Sequence, residues 1–147
     1  DLKQKPLGKK VVFCGAGLSA TECAIGLARE GHECVLIDKL AQNDLYTVLM
    51  DSLAETLKTT CTEENISVYD QSDIKEINSK SVTIEKDGTS ITLDCDTVVL
   101  SLGLHPDAAE IEEFNFISNE TYIIGDCNTV GNIRTANMDA FNVCVEI

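Results

Sequence analysis

A chain of 147 residues with 44% hydrophobic and 24% charged side chains has the length of one domain, which on folding buries roughly 70% of the surface its unfolded chain exposes. No apolar run approaches the roughly 20 residues of a membrane-spanning helix, so a soluble chain with no membrane partner is expected. Eleven basic against twenty-five acidic side chains give a formal net charge of −14, which repels nucleic acid and leaves any bound phosphate to local backbone dipoles.

The opening DLKQKPLGKK lacks the apolar core of a signal peptide and reads as a linker over residues 1–8. A start on Asp1 instead of Met is what a fragment of a longer protein would show. From Lys9 to Cys14 the short apolar run VVFC stops at Gly15, the pattern of a fully buried strand. Ser19 to Glu30 follows with Ala20, Cys23, Ala24, Leu27 and Ala28 at helical spacing, and Gly31 stands at the C-cap. CVLID, residues 34–38, is the next buried strand. Strand, Gly-rich turn, helix and strand make a βαβ unit, whose two strands run parallel through a right-handed crossover.

Leu45, Val48, Leu49, Leu53 and Leu57 predict a second helix ending before the polar stretch Thr59 to Asn65, and Ile66 to Tyr69 a third strand. DIKEI, SVTIEK and SITLDC are short and alternate apolar with polar residues. Asp87-Gly88, a favoured pair for a two-residue hairpin, joins the last two, so the three form a small antiparallel meander. TVVLSLG, residues 97–103, returns to the buried parallel type. Beyond Pro106, AAEIEEFNF is acidic and loosely helical, with Glu110 to Glu113 a solvated face. TYIIGD, residues 121–126, reads as a fifth strand, and NIRTANMDAFNVCVEI as a closing helix with Ile133, Ala136, Ala140 and Val143 on one side. The expected fold is α/β: three layers with a parallel sheet in the order 3-2-1-4-5, TYIIGD lying beside TVVLSLG because an edge strand needs a partner, plus the meander.

The seven cysteines, at 14, 23, 34, 61, 95, 127 and 144, form no CxxC pair and have no His at ligand spacing. They read as buried thiols of a reducing cytoplasm, neither a disulfide framework nor a metal site. His32, after the helix-capping Gly31, reads as structural. His105 lies past the carboxyl end of a parallel strand, where such sheets bind ligands, and still reads as a loop residue. No acid, base and nucleophile stand together, so no catalytic residue is assigned.

The chemistry-bearing stretch is VVFCGAGLSATE, residues 11–22. Three small residues in a turn are a weak signal, but here they follow a buried strand and open a helix. An acidic residue, Asp38, then ends the next strand roughly 20 residues on. Gly15 would allow the tight turn, Gly17 the close approach of a pyrophosphate, and Ala20 close packing of helix on strand. Ser19 opens the helix, whose N-terminus offers free N–H groups and about half a positive charge. Asp38 would accept the adenine-ribose hydroxyls and favour NAD(H) over NADP(H), a preference the adjacent Lys39 softens. The competing reading is a ligand-free corner in which Asp38 only caps a loop. A methyltransferase using S-adenosylmethionine shares the Gly-rich turn but usually has a carboxylate just before the glycines, where this chain has Phe13 and Cys14. Short-chain dehydrogenases need a Tyr-x-x-x-Lys pair that this chain lacks.

Three motifs in order, VVFCGAGLSATE with Asp38, the meander followed by DTVVLSLGLHPD (96–107), and TYIIGDCNTVGNIRTANMDAF, resemble the pyridine-nucleotide domain of two-dinucleotide flavoprotein oxidoreductases. The nearest likeness is to the carboxyl-terminal part of 2-enoate and dienoyl-CoA reductases, NADH:flavin oxidoreductases. The resemblance spans almost the whole chain and rests on the order of the motifs. It implies a Rossmann-like NAD(H)-binding domain over residues 9–118, and over 119–147 a strand and helix like the return segment of an FAD domain. It implies that Gly15, Gly17 and Ala20 face the pyrophosphate, Asp38 the adenine ribose and Glu22 the nicotinamide end, and that Gly103 lines the crevice, with Leu18, Ser19 and Lys39 counted beside them among the cofactor-binding residues. Gly125 and Asp126 take the place of the family's flavin contact. The parent enzyme would pass hydride from NADH to FAD, and the isolated piece would bind nucleotide without turnover. Its implied partners are the missing FAD domain and a barrel carrying FMN and an iron–sulfur cluster, for which no cysteine cluster is present. Ala16 and Leu18 depart from the Gly and the Tyr or Val of many members. A non-catalytic dinucleotide-binding module is the alternative, with the methyltransferase behind it.

Overall fold

The computed structural model describes residues 6–47, 49–114 and 117–146. The chain falls into two units, one reaching to Leu102 and one from Gly103 to Ile147.

In the first unit β1 (Lys10–Cys14), α1 (Leu18–Arg29) and β2 (Glu33–Ile37) form the expected βαβ unit. β3 (Ser67–Tyr69) and β7 (Thr97–Leu100) complete a parallel sheet in the order β3-β2-β1-β7, with Phe13 in register with Leu36 on one side and Val99 on the other. β4 (Ser72–Ile77), β5 (Ser81–Lys86) and β6 (Thr89–Asp94) form the separate antiparallel meander, closed between β5 and β6 by Asp87 (φ 51°) and Gly88 (φ 73°). Both residues of that turn take the positive φ that an Asp-Gly hairpin supplies.

The continuous apolar run of β1 follows from its place between two layers. Val11 and Phe13 pack toward the helices with Ala20, Ala24, Leu27, Leu36 and Leu57, while Val12 and Cys14 pack toward the meander with Ile37, Val82, Ile84 and Cys95. Both faces of the central strand are covered, so neither alternates with polar residues. Each of the Val, Leu, Ile and Phe side chains among them contributes about 1.5–3 kcal/mol by its burial. The three expected layers are therefore helices, parallel sheet and meander.

α1 stops where the sequence says it should. Gly31 takes φ 96°, the His32 N–H donates to Leu27 O at 3.0 Å and the Gly31 N–H to Ala28 O at 2.9 Å, the paired bonds of a Schellman cap. The second helix differs from the sequence expectation at both ends. α2 runs Asp51–Glu63; Leu45, Tyr46 and Thr47 lie in turns, and Val48 falls outside the described residues. Leu45 and Leu49 still pack on the helix-side core without being helical, which is why their spacing imitated a helix. The polar stretch expected as a loop continues α2 because the Thr56, Thr60 and Thr62 hydroxyls donate to carbonyls one turn back, satisfying their own polarity. Asn65, at φ 57°, ends it.

The second unit holds α3 (Ala108–Phe114), a 3₁₀ turn over Gly125–Cys127 and α4 (Ile133–Glu146). The fifth strand is not formed: among the described residues no strand crosses TYIIGD, and the parallel order stops at 3-2-1-4. A strand needs a neighbour for its backbone, and the described residues of this unit form no sheet. Gly125, at φ 60°, instead turns the chain into the 3₁₀ turn, with the Asn128 and Thr129 N–H groups returning to Gly125 O. α3 and α4 form where helices were expected, although Asn115, Phe116 and Ile147 lie outside the described residues.

Candidate functional site

The carboxyl ends of β1 and β2 bring the Gly-rich turn and Asp38 together. Gly15, at φ 104°, stands where an added Cβ would lie 2.0 Å from Ser101 O, beside β7. Its N–H donates to Ile37 O at 2.8 Å and the Ser101 N–H to Cys14 O at 2.7 Å, so the turn is stitched to both neighbouring strands. Only glycine fits there, on both conformation and space. Gly17 differs. It is the N-cap of α1 with φ −65°, and an added Cβ would meet nothing within 4 Å. No side chain caps α1, which leaves the N–H groups of its first turn, at Leu18, Ser19 and Ala20, without helical acceptors. Gly17 and Leu18 are half-buried, Ser19 is exposed, and Ala20 is buried against the core.

The Asp38 carboxylate is fixed by two backbone donors. Its Oδ2 accepts from the Ala16 N–H at 2.8 Å and its Oδ1 from the Leu40 N–H at 3.0 Å. Asp38 therefore does cap its own loop, as the ligand-free reading requires, and also clasps the Gly-rich turn. Each oxygen retains a lone pair, so the geometry leaves room for hydroxyl donors on its half-exposed side. Lys39 and Glu22 are both exposed, Glu22 one turn into α1.

Sequence reasoning missed the group beneath the turn. Thr21, fully buried in α1, donates from Oγ1 to Ala16 O at 3.1 Å and lies 2.8 Å from the hydroxyl of buried Tyr46. Burial, foremost among its causes, pushes the Tyr46 hydroxyl pKa up. The only available signal was a threonine on the apolar face of a helix. The loop carrying Tyr46 is moored further on, where Asp70 accepts from the Gln42 N–H at 3.0 Å and from Lys86 Nζ at 2.7 Å. The Lys86 bond, foremost, holds the Asp70 carboxyl below its usual range.

The remaining candidates lie in the second unit. Gly103 takes φ 92° and is exposed. The Gly125 N–H donates to Asp139 of α4 at 3.1 Å, and Asp126 Oδ1 accepts from the Gly131 N–H at 3.0 Å. His105 and Asp126 share a cleft of about 370 Å³ with Phe114. In the first unit His32 Nδ1 lies 2.9 Å from Gly8 O, the structural role expected of it. Cys14, Cys34, Cys61 and Cys95 are buried, Cys23 is half-buried, and Cys127 and Cys144 are exposed; all are free. Burial, then the neighbouring Cys23, pushes the Cys34 thiol up to about 11, so Cys34 is a packing group and not a nucleophile; the exposed Cys127 and Cys144 depart from the expectation of buried thiols, because they lie on the second unit outside either core cluster. Among the described residues no group of His, Cys, Asp and Glu could hold a metal ion, and no helix is long and apolar enough to cross a membrane.

The chain is similar to several known proteins. The sequence pattern described as pyridine nucleotide-disulphide oxidoreductase matches residues 1–140. Cinnamate reductase of Clostridium sporogenes is 26% identical over 149 residues, which cover 99% of this chain and 22% of that protein. The nitric oxide reductase FlRd-NAD(+) reductase of Aliivibrio fischeri is 28% identical over 150 residues, covering 99% of this chain and 38% of that protein. The solved structure of 2-naphthoyl-CoA reductase with 2-naphthoyl-CoA superposes with a TM-score of 0.81 at 27% identity, over 99% of this chain and 22% of that one. The chain thus spans well under half the length of the relatives it matches.

Proposed function

The chain belongs to the pyridine nucleotide-disulphide oxidoreductase family, and on that premise we propose that its first unit is the NAD(H)-binding domain of a longer NADH-dependent flavoprotein oxidoreductase. The observation that carries the reading is the open, uncapped start of α1: Gly17 presents space where any side chain would stand, directly beside the clasped Asp38. A pyrophosphate fits that cradle, because unpaired N–H groups and the helix dipole supply positive potential locally while the chain as a whole carries −14.

In this reading Gly17, Leu18 and Ser19 donate backbone N–H groups to the phosphates, and Ala20 keeps α1 close to β1. Asp38 accepts ribose hydroxyls, which disfavours a 2′-phosphate and so favours NAD(H). Glu22 is proposed further along the dinucleotide path, and Gly103, Gly125 and Asp126, within their own unit, are proposed as separate cofactor contacts. Nicotinamide and flavin supply the hydride chemistry itself, while the chain's residues bind and orient. An FAD domain and a barrel with FMN and an iron–sulfur cluster remain proposed parts of the parent. Cinnamate reductase, nitric oxide reductase FlRd-NAD(+) reductase and 2-naphthoyl-CoA reductase are all reductases by name, which supports a reductase parent.

Calorimetric titration with NADH, NADPH, FAD and S-adenosylmethionine tests the reading. NADH is expected to bind tightest, and Asp38→Ala to weaken NADH about tenfold, the scale of a lost hydrogen bond to a charged group. Binding of S-adenosylmethionine with no heat from millimolar NADH would overturn it.

A further inference from the structure

We propose that Tyr46 is a positioning residue of the phosphate cradle, acting through Thr21 to fix the peptide plane that turns the Gly17 N–H toward the ligand; the inference rests on the nucleotide-site reading above. Thr21 has one hydroxyl proton, and it goes to Ala16 O at 3.1 Å. The Tyr46 hydroxyl, 2.8 Å from the same oxygen, must therefore be the donor of that second bond. The chain of donors runs in one direction, from Tyr46 through Thr21 to the Ala16 carbonyl.

That carbonyl belongs to the peptide joining Ala16 to Gly17. The described peptides are all trans, so in this plane the C=O and the N–H point opposite ways. Drawing Ala16 O inward onto Thr21 turns the Gly17 N–H outward, and among the described residues that N–H finds no acceptor. The preceding peptide is held from the other side, its Ala16 N–H bound to Asp38. Both planes flanking Ala16 are thus pinned, one by Asp38, the residue after β2, and one by a tyrosine further along the same loop. Gly17 has no side chain to restrict its own rotation, so its orientation has to be imposed by its neighbours. The tie also couples the β2–α2 loop, moored through Gln42 to Asp70, to the phosphate end of the site.

Tyr46 also fills core volume beside Leu57 and Cys61, and the test must separate the hydroxyl from the ring. Tyr46→Phe keeps the ring; Thr21→Val removes the relay, and Thr21→Ser restores the hydroxyl. Nitrogen-15-labelled full chain is titrated by NMR with ADP and with adenosine, which keeps base and ribose but has no phosphate. For Tyr46→Phe and Thr21→Val the ADP affinity falls about fivefold, the scale of one lost neutral hydrogen bond, with adenosine affinity unchanged, and Thr21→Ser binds like wild type. Wild type that binds ADP while Tyr46→Phe binds it equally well, or loses ADP and adenosine affinity in parallel, overturns the positioning role alone. Wild type that binds neither ADP nor NADH overturns the site reading and the inference with it.

Discussion

Two glycines two positions apart carry opposite kinds of necessity. Gly15 is required by the fold: a side chain at φ 104° would be strained and would drive its Cβ into Ser101 O. Gly15→Ala is expected to destabilise by about 2–4 kcal/mol, the scale of strain plus a forced shift, read by thermal unfolding. Gly17 has neither restriction in the folded chain. Gly17→Ala is expected to leave the melting temperature within a degree or two while abolishing detectable nucleotide binding. Equal melting losses for both would contradict the separation. Asp38 is a third case, with a structural and a proposed ligand role on the same carboxylate, so Asp38→Asn, which keeps one acceptor, is expected to unfold less readily than Asp38→Ala.

At the scale of elements the parallel strands, α1 and the meander were legible because each carries its own local signal: a run covered on both faces, a Gly at a Schellman position, an Asp-Gly turn. What the sequence did not reveal depended on partners far along the chain. Leu45 and Leu49 look helical because they are core residues, yet their loop is shaped by bonds to Asp70. TYII looks like a strand because it is apolar, but the described residues of its own unit hold no strand for it to pair with. Thr21 carried no mark of its bond to Tyr46, which joins segments 25 positions apart. The Asp70–Lys86 tie has a pH signature. Because the folded Asp70 pKa lies below its ordinary value of 3.8, its contribution is complete above that value and is lost as the pH falls through the folded pKa. Asp70→Asn is therefore expected to lower stability at pH 7 and to narrow the wild-type advantage below pH 4. An equal gap at both pH values would remove the tie from the account.

For the whole molecule, charge and the proposed function pull in opposite directions. A net charge of −14 would repel a dianionic dinucleotide until it reached the helix terminus, where short-range dipoles would take over. Added salt screens the long-range repulsion first, so the association rate for NADH is expected to rise between 20 and 150 mM salt, about twofold or more. A falling rate would show that a basic surface does the capture. The second unit meanwhile leaves Ile133, Phe141 and Tyr122 more than half exposed, an apolar surface suited to burial by further protein, in keeping with relatives several times longer than this chain.

The central claim is that the start of α1 seats the dinucleotide, and the amide spectrum of the labelled chain tests it most directly. Titration with NADH is predicted to shift the Gly17, Leu18 and Ser19 N–H resonances first and furthest, with Asp38 and Lys39 following and the meander unmoved. Saturable shifts centred elsewhere, with the Gly17 amide unchanged at millimolar NADH, would contradict it.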